Sequence, residues 1–251
     1  MSGSGLTAEN PKASDFAFNV AAGNVNGVVG VGRIGFNPDI VASPEDLWNA
    51  GGLMVYLTAA ETMDIVSDNA ADTSVGTGLQ TLLIQGLDDN FVETSETITL
   101  DGLNPVTTVN TYLRVHDMRG LTAGATGSNE GIITATATTS VVIQGQMDVG
   151  SNASSTFQFT VPADKTAFIT FFEFSAGQMD AVEFSIFVRL EGGLFQQTSK
   201  HELVEDSLTV TLMPYTPLPE KTDLRCLAER VAGGGSTLDT AIVRFYLVDN
   251  Q

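Results

Sequence analysis

The chain reads as an all-β protein: two antiparallel β-sandwich or jelly-roll-like units, an extended N-terminal arm and one short helix. Three observations predict this. Residues 155–190, STFQFTVPADKTAFITFFEFSAGQMDAVEFSIFVRL, hold three strand-like runs separated by two turn signals. Residues 54–146 are short runs rich in Val, Ile, Leu and Thr broken by turn residues, and spacings of roughly eight to twelve residues are those of a sandwich or barrel. Near the C-terminus, Ala241, Val243, Phe245 and Leu247 alternate with Ile242, Arg244, Tyr246 and Val248, the period of a strand.

The stretch 155–190 sets the pattern. In its third run Val182, Phe184, Ile186, Val188 and Leu190 alternate with Glu183, Ser185, Phe187 and Arg189, so one face is buried. The middle run puts Phe168, Phe172 and Phe174 on one face and Ile169 and Phe171 on the other. A strand apolar on both faces must be covered twice, by its own core and by a second layer or another subunit. Val161-Pro162-Ala163-Asp164-Lys165-Thr166 is a tight polar turn with Pro preset for its first corner. The three runs are expected to form a β-meander.

Taken in order, residues 1–29 are poor in bulky apolar side chains and read as a flexible arm with Phe16 and Phe18 as anchors. Residues 30–146 form the first β-rich domain. Gly30-Val31-Gly32-Arg33-Ile34-Gly35 matches G-x-G-x-x-G, but Phe36-Asn37-Pro38-Asp39 after it is a turn and not a helix start. The glycines therefore read as part of a loop or an edge strand. A short helix is expected at 44–50: Ser43 suits the N-cap, Pro44 the first turn, Glu45 and Asp46 the positive helix end, and Gly51 or Gly52 the stop. Trp48 would pin it to the body or to a partner. Candidate strands follow at 54–57, 61–67, 79–87, 93–100, 107–115 and 131–138, with 141–144 continuing the last. The small polar segment 147–154 reads as a linker. The second domain, 155–251, adds strands at 202–204, 207–213, 223–228 and 240–248, with Pro214, Pro217 and Pro219 in a rigid loop and Gly233-Gly234-Gly235 in a flexible one.

Composition bounds the function. Eleven Lys and Arg stand against 30 Asp and Glu, a net charge of −19, and only Lys12 and Arg33 are basic before Arg114. That argues against nucleic acid, whose phosphates need clustered cations, and against anionic membrane surfaces. No apolar run approaches the ~20 residues of a membrane helix. The single cysteine, Cys226, excludes an internal disulfide and reads as a buried small hydrophobe. The N-terminus carries no secretory pattern, so a soluble, reducing compartment is expected.

Chemistry is scarce. His116 and His201 stand next to acidic residues but lack zinc-ligand spacing and read as surface histidines at strand ends. No G-x-S-x-G elbow or P-loop is present. Glu93 with Glu96 and Glu202 with Glu205 carry little weight in so acidic a chain. Asp68, Asp72 and Asp88-Asp89-Asn90 offer at most an incidental calcium ligand set. The expectation is no catalytic residue, no metal and no cofactor.

Three blocks carry a family resemblance. They are Gly35-Phe36-Asn37-Pro38-Asp39-Ile40 with Ser43 to Gly52; Asn104-Pro105-Val106-Thr107-Thr108 with Thr111 to Val115 and Gly127 to Thr136; and Phe159 to Ala167. They resemble blocks in virion structural proteins of tailed bacteriophages, marine ones especially. The resemblance implies a virion component; with the all-β pattern, the arm and the two-faced strand, the expectation is a non-enzymatic structural protein made in the host cytoplasm, a capsid decoration or minor capsid protein or a collar or tail adaptor subunit. Its partners would be copies of itself and other virion proteins: major capsid, portal or tail. A host-recognition, carbohydrate-binding module of a tail fibre is the alternative. Trp48, Phe168, Phe171 and Phe172 are the expected assembly interface.

Overall fold

A computed structural model describes residues 15–177, 180–233 and 239–250. Among them one helix and sixteen strands follow one another: α1 (Phe16–Ala21), β1 (Val28–Asn37), β2 (Glu45–Asp46), β3 (Met63–Ser67), β4 (Leu79–Leu87), β5 (Glu93–Thr99), β6 (Val106–Thr107), β7 (Arg114–Ala123), β8 (Ile133–Ala137), β9 (Ile143–Met147), β10 (Phe159–Thr160), β11 (Lys165–Ser175), β12 (Asp180–Arg189), β13 (Gln196–Val204), β14 (Ser207–Leu218), β15 (Asp223–Gly233) and β16 (Asp239–Asp249). The protein is nearly all β and its strand pairs are antiparallel. No described helix is long and apolar enough to cross a membrane.

Four sheets divide between two cores. The first sheet runs β1-β16-β11-β14 and the second β10-β15-β12-β13, with β2 also on β15. Their inner faces share one cluster that includes Leu47, Phe157, Phe174, Phe184, Val243 and Phe245. The third sheet, β6-β3-β8-β9, and the fourth, β5-β4-β7, enclose another, with Met63, Ile65, Leu82, Ile84, Tyr112 and Met118 at its centre. The first pair of sheets has a nested order: β1 pairs with β16, β10 with β15, β11 with β14 and β12 with β13. The second pair is not nested, since β3 lies between β6 and β8, and β4 between β5 and β7. The cores therefore divide the chain differently from a boundary at residue 30. Residues 28–48 pair and pack with the C-terminal part, and residues 57–147 make their own core between β2 and β10.

The helix is not where the local signals place it. Segment 44–50 is not helical: β2 pairs with β15, a turn follows at Asn49–Ala50, the Leu47 amide donates to the Cys226 carbonyl at 3.2 Å, and the Trp48 indole donates to the Gly51 carbonyl at 2.8 Å. A cap is worth about 1 kcal/mol and a two-turn helix is unstable alone. Burial of Leu47 and Trp48 in the sheet outweighs both. The helix lies instead in the segment read as an arm, where Asp15 caps α1 by accepting from the Phe18 amide at 3.0 Å and Val20 is buried. The rest of that arm, residues 1–14, is outside the described residues, as are residues 234–235 of the glycine loop.

The runs of 155–190 do not form a meander. β10, β11 and β12 alternate between the second and first sheets, and each finds its partners among later strands or β1's neighbour β16. β14 passes through Pro214 and Pro217, which a sheet's end strand tolerates because one side needs no amide. Residues 54–57 form no strand, and 107–115 splits into β6 and the start of β7. The literal G-x-G-x-x-G lies within edge strand β1. Its last glycine has a packing reason: a Cβ on Gly35 would stand 2.6 Å from the Leu47 carbonyl oxygen and 2.5 Å from the Phe157 Cβ.

Candidate functional site

The four residues expected at an assembly interface separate into two pairs. Trp48 is 4% exposed and Phe172 7%; both are core. Phe168 and Phe171 are half-buried on the outer face of the first sheet. The cause is a bulge in β11 between Ile169 and Phe171, where Thr170 turns its hydroxyl onto the Arg244 carbonyl at 2.8 Å. The bulge shifts the alternation by one, so Ala167, Ile169, Phe172 and Phe174 all face the core. A strict period of two had placed Phe168 with Phe172 and Phe174, and Ile169 with Phe171.

Around Phe168 and Phe171 the outer face is aromatic. Phe168 sits opposite Tyr246, and the Arg244 guanidinium lies 5.9 Å from the centre of the Phe171 ring. Tyr246 meets Phe16 of α1 edge-on at 5.2 Å and Tyr215 of β14 at 6.2 Å. Phe16 and Tyr215 remain 50% and 44% exposed, so the patch is open to a partner.

The seam between the two cores is ionic. Asp223 of β15 accepts from Arg114 Nε at 3.1 Å, Arg189 Nη2 at 2.5 Å and the Thr160 hydroxyl at 2.5 Å. Arg114 belongs to β7 and also donates to the Leu57 and Leu113 carbonyls, so one side chain ties the inserted core to the first. Beside it Arg225 forks onto Asp46. Burial pushes the Asp46 carboxyl upward and Arg225 pulls it back. Arg114 and Arg189 each lie over this network's Tyr56 ring, at 4.8 and 4.6 Å, and Phe195 meets Tyr56 at 5.2 Å. Burial raises the Tyr56 phenol far above its usual range, so it stays neutral. Every charge here is answered by another, which makes the cluster a clamp. Its members come from residues 46 to 225, and no local motif announces them.

On another side of the seam lies a cleft of about 540 Å³ bordered by Arg33, Gln85, Ser95, His116, Asp117 and Arg119. His116 is not a surface histidine. It is 8% exposed, stacks on Phe159 at 4.6 Å, and accepts at Nε2 from the Thr160 amide at 3.1 Å. Burial, with Arg33 and Arg114 nearby, holds its pKa well below the ordinary 6.5. The aspartates considered for calcium have other work. Asp72 takes the Ser67 hydroxyl and the Leu79, Glu130 and Gly131 amides at 2.6–2.9 Å, which staples three loops. Cys226 is fully buried in the first core. No group of three His, Cys, Asp or Glu placed to hold a metal occurs among the described residues.

No protein-family model matches the chain, and no curated protein matches it. Among solved structures it is similar to a chain in the structure of the infectious bursal disease virus Gt strain, at 9% identity over 87% of this chain and 70% of that one, with a TM-score of 0.20. At that score the likeness establishes neither fold nor function.

Proposed function

We propose that this chain is a non-enzymatic structural component of a bacteriophage virion: a capsid decoration or minor capsid protein, or a collar or tail adaptor subunit. It would be made in the host cytoplasm and would assemble with copies of itself and with other virion proteins. The nested strand order carries the reading. With β2 and β10 counted as the two parts of one interrupted second strand, the first core has eight strand positions, paired first with eighth, second with seventh, third with sixth and fourth with fifth. A long antiparallel ribbon wrapped into two facing sheets gives that order, which is the jelly roll recurrent in viral capsid and lectin domains. Residues 57–147 are then a second β-sandwich inserted in the second strand, not a second jelly roll. The open aromatic patch on the first sheet supplies a surface for assembly.

Mass spectrometry of purified virions tests the proposal. The chain is expected in a fixed stoichiometry to the major capsid protein, and its absence from intact particles would sink the reading. Exposed Phe16 and Tyr215 favour one alternative, a carbohydrate-recognition module, because sugars stack on open aromatic rings. A glycan array with no bound sugar removes it.

A further inference from the structure

Arg33 faces the core side of β1, in line with Val31 and Gly35, and opposite it in the ladder stands the core residue Val243. Its guanidinium lies 5.4 Å from the centre of the Phe159 ring. Its Nε is buried, and among the described residues it has no hydrogen-bond partner. Arg114, Arg119, Arg189 and Arg225 each face a carboxylate; Arg33 makes no such ion pair. An arginine cannot shed its charge, and a buried donor left without an acceptor is costly. In a chain of net charge −19 acceptors are plentiful, yet Asp117 acts on this cation only through space and among the described residues no carboxylate pairs with it directly.

The space beside it is built to hold something. Arg33 borders the 540 Å³ cleft between the two cores, the kind of seam where ligand sites gather. β1 is the end strand of its sheet, so it has a free backbone edge at the cleft, where alternate amides can donate. Gln85 and Ser95 add polar side chains from the opposite wall. Asp117 also borders the cleft but is taken up by Arg119 at 2.8 Å. Glu93 stands at the rim, exposed. Those two acidic groups disfavour a dianion and leave room for one negative charge.

We infer that the cleft is a binding site for a single carboxylate group, received by the planar fork of Arg33 and the free edge of β1. The carboxylate belongs either to a small organic acid or to an acidic side chain of another protein chain, and the site holds whether or not the virion reading does. The test titrates the full-length chain at pH 7.5 and constant ionic strength, with chloride as balance, and follows melting temperature. One arm uses acetate, one a glutamate residue capped at both ends, one inorganic phosphate. A saturable rise is expected with acetate or capped glutamate, weakened about tenfold or more in Arg33→Gln. Tighter binding of capped glutamate assigns the site to a protein side chain; equal or tighter binding of acetate assigns it to a free acid. In the unsubstituted protein the Arg33 Nε–H resonance should shift over the same concentration range, which keeps the test alive if Arg33→Gln does not fold. A flat response to both carboxylates, a response to phosphate alone, an unchanged Arg33→Gln titration or an unmoved Nε–H resonance overturns the inference.

Discussion

At the scale of single residues, burial decides protonation, and His116 shows it most sharply. Its Nε2 accepts a hydrogen bond from the Thr160 amide, so that nitrogen carries no proton in the fold. The imidazole is buried against Phe159 with Arg33 and Arg114 nearby, and burial first, then the two arginines, oppose a positive charge. In the unfolded chain the same group titrates near 6.5. Below that pH the unfolded state takes up a proton that the folded state refuses, so stability is full above about pH 6.5 and falls as pH drops toward the depressed folded value. The expected loss approaches about 1.4 kcal/mol per pH unit. Urea unfolding at pH 7.5, 6.5 and 5.5 measures it, and the comparison with His116→Gln separates this group from the carboxylates. An identical pH slope in the two proteins would show that His116 is not the source. His116 was expected on the surface because its neighbours in sequence are polar. What buries it is β10, some forty residues later in the chain.

The element that matters most for assembly is β11, and its bulge gives the predictions their direction. Phe172 and Trp48 are core, so Phe172→Ala or Trp48→Ala should cost roughly 3–5 kcal/mol of folding stability. Phe171 lies outside, half-buried under Arg244, so Phe171→Asp should change monomer stability by less than about 1.5 kcal/mol while weakening self-association. Denaturant melts and sedimentation velocity on the same samples separate the two effects. If Phe171→Asp unfolds the monomer as readily as Trp48→Ala does, the outer face is not an assembly surface. Strand signals were legible where alternation was regular and long: β4 has the bounds read from sequence, and β16 differs from its expected range by one residue at each end. They failed where pairing rather than pattern makes the strand. β2 and β10 have two residues each, and a helix-capping signal at Ser43-Pro44 was overruled by β15. The bulge was illegible because Thr170 fits either face, and only its bond to the Arg244 carbonyl fixes the shift.

For the whole molecule the question is what makes two cores behave as one. Hydrophobic periodicity reveals cores but not the seam between them, which is held by charges spread over 180 positions of sequence, from Asp46 to Arg225. The all-β, antiparallel character was therefore readable, whereas the way strands far apart in sequence share one core was not. Asp223 is central to the arrangement: among the described residues it is the carboxylate shared by Arg114 from the inserted core and Arg189 from the first. With side chains 9% and 5% exposed, Arg114 and Asp223 are a buried pair, and removing one partner leaves the other uncompensated. Asp223→Ala strands two arginines and should cost about 3–5 kcal/mol. Arg114→Met leaves Asp223 with Arg189 and Thr160, so its cost should be smaller, about 1–3 kcal/mol. Scanning calorimetry reads both the size and the kind of effect. The unsubstituted chain should melt in one transition, and Asp223→Ala should split it in two, because the clamp that couples the cores is gone while each core keeps its own apolar contacts. A single transition in Asp223→Ala, shifted no more than in Arg114→Met, would mean that apolar contact at the seam couples the cores and the ion network does not.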